Sequence, residues 1–256
     1  MSFLIGMLLL CITMALAVGG LILVQRLVPI AVRRQHNDVA GFIYAVLGVV
    51  YAVLLGFMVV AAWEEWNAAA VTTDEEATSL SEIFWIAGRI PGSEGHHIQN
   101  LARSYARAVI DEEWPLMQQG KSSPKAWDLL DEIRDDLLSL DPSTPAQRIL
   151  YEQGLERLRD LADARRDRMR DAREGLPAIL WVVLIVGGID VVGFTYLFGL
   201  DSTLIHLLMV AALALIIALA LFTIASLDFP FRGYLTVGPD ALQQVLSRIE
   251  NAKPDN

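Results

Sequence analysis

The segment from Gly41 to Gly88 constrains this chain more than any other, because its two halves suit different solvents. Its first half, Phe42 to Ala62, is 21 residues long and has no ionisable side chain. A helix rises about 1.5 Å per residue, so this run is long enough to cross a hydrocarbon core of roughly 30 Å. The sequence therefore predicts a transmembrane helix here.

The second half of the segment is predicted to be an amphipathic helix in water. The stripe at helical spacing comprises Trp66, Ala70, Thr73, Ala77, Leu80, Phe84 and Ala87. The acidic residues, expected on the solvated surface, are Glu64, Glu65, Asp74, Glu75, Glu76 and Glu82. Between Gly56 and Gly88 there is no glycine or proline to break the helix. We therefore predict one rod that leaves the membrane and enters a soluble domain.

Three more apolar runs predict further spans, which gives an all-α integral membrane protein with four transmembrane helices. The predicted spans are residues 3–24, 42–62, 178–200 and 204–227. They form two transmembrane hairpins, 1–62 and 176–227, and the tail, 228–256, carries a short amphipathic helix. Residues 63–175 are predicted to form a helical-bundle domain that is inserted between spans 2 and 3 and is continuous with span 2.

Prolines and turn residues divide the inserted domain into four amphipathic helices. The second of these helices is predicted to end at Trp114-Pro115. Pro124 suits the first turn of the third helix. Thr144 can cap the fourth helix, with Pro145 at its first position.

Composition excludes several classes of function. Hydrophobic residues make up 54% of the chain, and the net charge is −10, which argues against a nucleic-acid partner. Cys11 is the single cysteine, so no intrachain disulfide forms. Motifs for phosphate binding, zinc hydrolysis or a nucleophilic serine are missing from the sequence. We predict no catalytic, cofactor or metal residues, including at His96-His97, and no enzymatic activity.

The second span offers a candidate face for helix packing or for a pore. In lipid the hydrophobic effect does not drive helices together, so transmembrane helices associate by close packing, which small residues permit. The residues of this face are Gly41, Tyr44, Gly48, Tyr51 and Gly56. Both interpretations, packing and pore lining, remain open at this point.

Two ionisable residues within the later spans are further candidates. Asp190 lies in the third span beside several glycines, and a carboxylate there is expected to face a bundle interior, a partner or water. It has either an ion or proton role, or a structural one. His206 lies one turn into the fourth span, where it either titrates or has no role.

Charged residues at two helix ends are predicted to be solvated. The end of the fourth domain helix carries Asp163, Arg165, Arg166, Asp167, Arg168, Arg170, Asp171 and Arg173. Acid–base pairs at helical spacing suit a solvated face, while contact with anionic lipid or an electrostatic vestibule is the alternative. Glu112 and Glu113 are likewise interpreted as a solvated helix terminus.

Several residues together resemble a known family of four-span membrane proteins, labelled bestrophin-like. The residues that carry this resemblance are Tyr105, Val109, Ile110, Glu113, Trp114, Arg165, Arg168, Leu176, Pro177, Leu180, Trp181, Asp228, Pro230, Phe231 and Gly233. The match extends from the second span to the tail. The resemblance implies kinship with bestrophins, which are oligomeric anion channels with a cytosolic helical domain between their second and third spans.

The chain departs from bestrophins in two respects. It has no acidic run like that of the bestrophin calcium clasp. The aromatics of its second span, Phe42, Tyr44, Tyr51 and Phe57, do not map one by one onto the aromatic constriction of the bestrophin pore. Channel activity is therefore an implication of the resemblance.

Two functions remain open, and a proton-coupled transporter is a distant third. The first is a homo-oligomeric ion channel of the cell membrane, with ions and further copies of the chain as partners besides the lipid bilayer. The second is a membrane-anchored sensory or protein-interaction module that does not conduct. An even number of spans puts both termini and the inserted domain on one face, which we predict to be the cytoplasm.

Overall fold

The computed structural model of the protein describes residues 3–251 and is helical throughout, with no strand in that range. Its elements are α1 (Phe3–Leu27), α2 (Ile30–Arg34), α3 (Asn37–Ala87), α4 (Ser93–Arg107), a π-helix (Ala108–Glu113), α5 (Trp114–Met117), α6 (Pro124–Ser139), α7 (Pro145–Asp171), α8 (Ala178–Thr195), α9 (Thr203–Leu227) and α10 (Asp240–Glu250). This confirms the all-α class. Residues 1–2 and 252–256, at the ends of the predicted first hairpin and tail, lie outside the described residues.

The helices form two compact units. Unit 1 contains residues up to 65 together with 175–228, and unit 2 contains 66–174 together with the residues from 229 onward. The division falls within α3, between Glu65 and Trp66.

Unit 1 contains the membrane helices. Helices α1, α3, α8 and α9 are long and apolar enough to cross a bilayer. The third span is shorter than predicted, because α8 ends at Thr195 and residues 196–202 connect it to α9. Ser202 caps α9 by accepting a hydrogen bond from the backbone of Ile205. The protein is therefore a four-span membrane protein.

Helix α1 packs against α8 and α9 within unit 1. The Tyr196 hydroxyl donates to the carbonyl of Ala17 at 2.8 Å. A Cβ on Gly20 would lie 2.9 Å from that hydroxyl, so α1 needs a glycine there. Many large apolar side chains on the outside of these helices remain exposed, as suits contact with lipid.

Unit 2 is a helical bundle around one apolar core. The predicted stripe of α3 faces this core: Thr73, Ala77, Leu80, Phe84 and Ala87 are buried, and Trp66 and Ala70 are half-buried. Helices α4, α6 and α7 add residues such as Ile98, Leu130, Ile133, Leu158 and Leu161. The amphipathic pattern of the sequence thus buries its apolar side within unit 2.

The predicted helix starts in unit 2 are confirmed. Pro124 is the first residue of α6 and Pro145 the first of α7. Thr144 and Gln147 form a capping box, in which each side chain bonds the other's backbone N–H. These bonds satisfy donors that the first turn of a helix leaves unpaired.

The tail helix α10 packs on the core of unit 2. Leu242 and Ile249 are fully buried, and Val245 and Leu246 are half-buried against the same core. Arg103 donates to the carbonyl of Ile249 at 3.4 Å. The apolar side of this helix is therefore covered by protein.

Candidate functional site

Helix α3 packs against α8 through its tyrosines. Tyr51 is buried, and its hydroxyl donates to the carbonyl of Leu184 at 2.8 Å. A Cβ on Gly187 would lie 2.8 Å from the Tyr51 ring, and one on Gly188 2.8 Å from its hydroxyl. The glycines that permit this close approach therefore belong to the third span.

The other residues of the predicted second-span face divide into two groups. Tyr44 packs on Phe194 and Phe198, with ring centroids 6.0 and 5.7 Å away. A Cβ on Gly41 would also reach Phe198, at 4.0 Å. A Cβ on Gly48 or Gly56 would meet no described atom within 4 Å. The tyrosines thus hold α3 to α8, while these two glycines face open space.

The opposite side of α3 is bare in unit 1. We call its exposed residues the open face: Ile43, Val46, Val50, Val53, Phe57 and Val60. Their spacing of three and four residues makes one straight stripe along the helix. The stripe is apolar over the whole length of the span.

Helix α3 is acidic where the apolar run ends. From Asn37 to Ala87 it carries seven acidic residues and no lysine, arginine or histidine. Glu64 in unit 1, and Asp74, Glu75 and Glu82 in unit 2, are exposed and make no ion pair within the described part of the chain. These four carboxylates of α3 therefore face solvent without a neutralising partner in the described part of the chain.

The two ionisable candidates of the later spans have opposite environments. Asp190 is exposed on α8 and has no hydrogen bond or ion pair to any described residue, so within one chain it does not face a bundle interior. His206 is buried, with Nε2 3.0 Å from the carbonyl of Thr195 and Nδ1 3.4 Å from Gln25. His206 thus joins α9 to the end of α8 and to α1.

Five polar residues, four of which carry the resemblance to the bestrophin-like family, meet in the core of unit 2. We call them the buried charge cluster: Glu76, Tyr105, Glu113, Arg165 and Arg168, all fully buried. Arg165 binds Glu113 with both terminal nitrogens, at 2.8 and 2.5 Å. Arg168 Nη2 donates to Glu76 at 2.9 Å and to Glu113 at 3.0 Å. Two acids and two bases therefore neutralise each other.

Hydrogen bonds and aromatic rings complete the buried charge cluster. The Tyr105 hydroxyl donates to Glu76 at 2.7 Å. Arg165 lies over the ring of Trp127 at 4.7 Å, and Arg168 over that of Trp114 at 5.0 Å. These contacts replace much of the water that the guanidinium groups lose, while the buried Nε of Arg165 has no hydrogen-bond partner among the described residues.

Burial and charge shift the pKa values of this cluster. Burial, followed by the charge of Glu76, raises the pKa of Tyr105 well above its ordinary value. Burial alone would lower the pKa of Arg168, but the charge and hydrogen bonds of Glu76, followed by the charge of Glu113, raise it. Both groups therefore stay protonated at neutral pH.

The π-helix contains Glu113. The N–H of Trp114 donates to the carbonyl of Val109, five residues back. Pro115 has no N–H to offer to the carbonyl of Asp111, so the chain cannot keep a regular α-helix there. The prediction that the helix ends at Trp114-Pro115 was therefore wrong, since helical structure continues to Met117.

The prediction that the charged residues at the two helix ends are solvated was wrong for three of them and right for several of their neighbours. Glu113, Arg165 and Arg168 are fully buried. Arg166 and Arg170 are exposed and pair with Asp163 and Asp167, as their spacing predicted. The arginine face of α7 is thus divided between the core and water.

The prediction that Glu76 belongs to the solvated acids of α3 was also wrong, because Glu76 is fully buried. Its position in the sequence could have predicted its burial, because Glu76 lies between Thr73 and Leu80 on the buried stripe. Arg165 and Arg168 likewise continue the spacing of Leu158 and Leu161 along α7. Opposite charges within apolar stripes of two helices indicate a buried pair.

The remaining residues that carry the family resemblance form separate local contacts, some in unit 1 and some in unit 2. In unit 1, the Asp228 carboxylate accepts hydrogen bonds from the backbone of Leu176 at 2.6 Å and from the Trp181 indole at 3.2 Å, and Pro177 caps α8. In unit 2, Phe231 packs edge-on against Trp114 at 5.7 Å. The other contacts involve Pro230, whose carbonyl accepts from Val237, and Gly233, whose φ is 101°.

The histidine pair of unit 2 lies near acidic side chains. His97 Nε2 is 3.5 Å from Asp136 and 3.8 Å from Glu132, which lie one turn apart on α6. Within residues 3–251 the structure has no group of three or more His, Cys, Asp or Glu side chains arranged to hold a metal ion. His97 thus lies at the surface within 4 Å of two carboxylates.

Comparison with known proteins gives one family and several related folds. Residues 11–242 match the family model described as a bestrophin-like domain. A bestrophin homologue from Klebsiella pneumoniae superimposes with a TM-score of 0.68 at 14% identity, over 94% of this chain and 99% of that one. A second crystal structure of such a homologue gives 0.64 at 17% identity, over 93% and 96%.

A crystal structure described only as that of a membrane protein superimposes with a TM-score of 0.70 at 14% identity, over 94% of this chain and 96% of that one. The search of curated proteins finds no match. At these identities the structural likeness shows a shared fold.

Proposed function

This chain belongs to the bestrophin-like family, and from that premise we propose that it is a homo-oligomeric ion channel of the cell membrane. The open face of α3 lines the path across the membrane. The observation that carries the proposal is the open face itself, an uncharged stripe along a whole span with no other described helix against it. A stripe of this kind in each copy forms a continuous wall around an axis.

Several copies are needed for conduction. Four spans enclose no wide path, and α1, α8 and α9 pack against one another. Identical subunits arranged around an axis bring one copy of α3 each to the centre. The aliphatic side chains of the open face then form the narrow, dry part of the path.

The charge of α3 favours cations. The resemblance to bestrophins implies anions, but α3 carries seven acidic residues and no basic one. Around an axis, Glu75 and Glu82 would repeat as rings of carboxylate, which attract cations and repel anions. We therefore propose cation selectivity for this channel.

The test is ion flux through the purified full-length protein in liposomes. We expect potassium to pass and chloride to be excluded. Glu75→Gln with Glu82→Gln should reduce the preference for cations, because it removes both carboxylate rings. Absence of flux above that of empty liposomes, across salts and pH, would defeat the channel proposal.

A matched pair of substitutions tests which helix lines the path. Val53 on α3 and Val186 on α8 are both exposed valines within spans. Val53→Ser should change conductance, since it adds a hydroxyl to the open face, whereas Val186→Ser should leave conductance unchanged. The reverse result would place α8 at the axis instead of α3.

The alternative of a non-conducting interaction module loses some of its support. Of the tryptophans that could form a docking surface, Trp114 and Trp127 lie over arginines of the buried charge cluster. Cross-linking in native membranes separates the two functions. A ladder of self-oligomers favours the channel, and capture of a different protein through residues 90–160 favours the module.

We also propose that unit 2 and both termini lie in the cytoplasm. The resemblance to bestrophins, whose helical domain is cytosolic, supports this orientation. The arginines of the first connection, Arg26, Arg33 and Arg34, favour the opposite one by the positive-inside rule. Direct labelling, described below, decides between the two.

A further inference from the structure

The two short connections of unit 1 are joined to each other. The Asn37 side chain and the backbone of Gly199 exchange two hydrogen bonds, each of 3.0 Å. A Cβ on Gly199 would lie 2.6 Å from the backbone nitrogen of Arg34, so the two chains touch. Because Gln25 near the end of α1 also contacts His206 near the start of α9, the end of α1, the short helix α2 and the α8–α9 connection form one surface.

One arginine on this surface is buried without a counter-ion. Arg33 is only 7% exposed. Its Nη1 donates to the carbonyls of Tyr196 at 3.4 Å and Phe198 at 3.1 Å, while its Nε is buried and has no partner. Asp201, the nearby carboxylate, pairs with Arg34 instead. The charge of Arg33 is thus met only by carbonyl dipoles within the described residues.

A second arginine on the same surface is also unneutralised. Arg26 lies in the last turn of α1, is exposed, and makes no ion pair with any described residue. Burying a guanidinium without a negative partner is costly, so buried charges are normally paired. The buried charge of Arg33 therefore calls for an anion from outside the chain, and the exposed Arg26 is free to contact the same anion.

The location of these arginines identifies that anion. They lie where membrane-spanning helices end, at the level of phospholipid headgroups. Arginine extends its charged end toward this level and binds phosphate with parallel N–H groups. We propose that Arg26 and Arg33 bind the phosphate of an anionic phospholipid at the joined connections of unit 1. This site is independent of conduction and of the sign of the ion.

Native mass spectrometry of the full-length protein in detergent tests the site. We expect phosphatidylglycerol to bind more tightly than phosphatidylcholine of the same chain length. Arg26→Gln and Arg33→Gln should each weaken phosphatidylglycerol binding about tenfold, the effect of losing one charge-assisted contact. The matched control is Arg89→Gln in unit 2, an exposed arginine without an ion pair among the described residues, which should bind as the unchanged protein does.

Two further arms make the result decisive. Arg33→Lys keeps the charge but loses the parallel N–H groups, so it should weaken binding less than Arg33→Gln does, whereas a merely structural role of Arg33 would make Lys and Gln alike. Arg26 makes no described contact, so Arg26→Gln reports on the lipid even where an Arg33 variant misfolds. Equal binding of both lipids, no loss in Arg26→Gln, or equal competition by inorganic phosphate would each overturn the proposal.

Discussion

At the scale of single residues, the buried side chain of Glu76 joins three helices of unit 2. Its carboxylate contacts Arg168 and Tyr105, which belong to two other helices. Removal of its charge leaves the Arg168 guanidinium partly uncompensated inside the core. The neighbouring Glu75 has the same chemistry and is exposed.

This pair of neighbours gives a matched prediction about stability. We expect Glu76→Gln to lower the free energy of unfolding by about 3–5 kcal/mol, because it breaks a buried ion pair. Glu75→Gln should change it by less than about 0.5 kcal/mol. Thermal unfolding of the detergent-solubilised protein measures both. Equal effects would mean that the buried charge cluster does not stabilise unit 2.

Tyr105 gives a prediction about pH. Its pKa is raised in the folded protein, by burial first and then by Glu76. A group with a raised pKa contributes its full stabilisation below its unfolded pKa of about 10, and that contribution is lost at higher pH. Unfolding scans should therefore show stability falling above pH 10, and Tyr105→Phe should lessen the fall. A steeper fall in Tyr105→Phe would contradict this.

Helix packing in unit 1 supports a prediction at the scale of elements. A Cβ on Gly187 would meet the Tyr51 ring, whereas one on Gly19 in α1 would meet nothing within 4 Å. We expect Gly187→Ala to destabilise the protein by about 1–3 kcal/mol through overpacking. Gly19→Ala should stabilise α1 by up to about 1 kcal/mol. Thermal unfolding in detergent compares the two, and a harmless Gly187→Ala would show that α3 and α8 can separate.

The elements themselves were largely predictable from sequence, because their signals are local. Apolar runs predicted the spans, and Pro124 and Thr144 predicted where α6 and α7 begin. The buried charge cluster was not predicted, because Glu76 and Arg168 lie 92 residues apart and their contact depends on how helices pack. A charge in isolation indicates solvent, and only the facing helix shows that it is buried.

The packing face of the second span illustrates the same limit. Its tyrosines were correctly singled out, but the small residues that receive the Tyr51 ring are Gly187 and Gly188 on another helix. The glycines of α3 itself, Gly48 and Gly56, receive nothing within the described residues. Sequence spacing identified a face, and the structure shows which helix meets it.

Topology is the prediction at the scale of the whole molecule. With four spans, Asn67 and Asn251 should lie on the same side of the membrane, and both are exposed. Cysteines placed at these positions, with Cys11 replaced, should react alike with an impermeant maleimide in oriented cells. Labelling of both only after permeabilisation places them in the cytoplasm. If one position reacted in intact cells and the other did not, the prediction of an even number of spans would be wrong.

Helix α3 runs from the open face to Glu76 with no glycine or proline after Gly56. Sharp bends in helices arise at such residues, so this stretch has no built-in hinge. Amide hydrogen exchange should therefore be slow without interruption along this stretch, with no fast-exchanging break between Gly56 and Ala87.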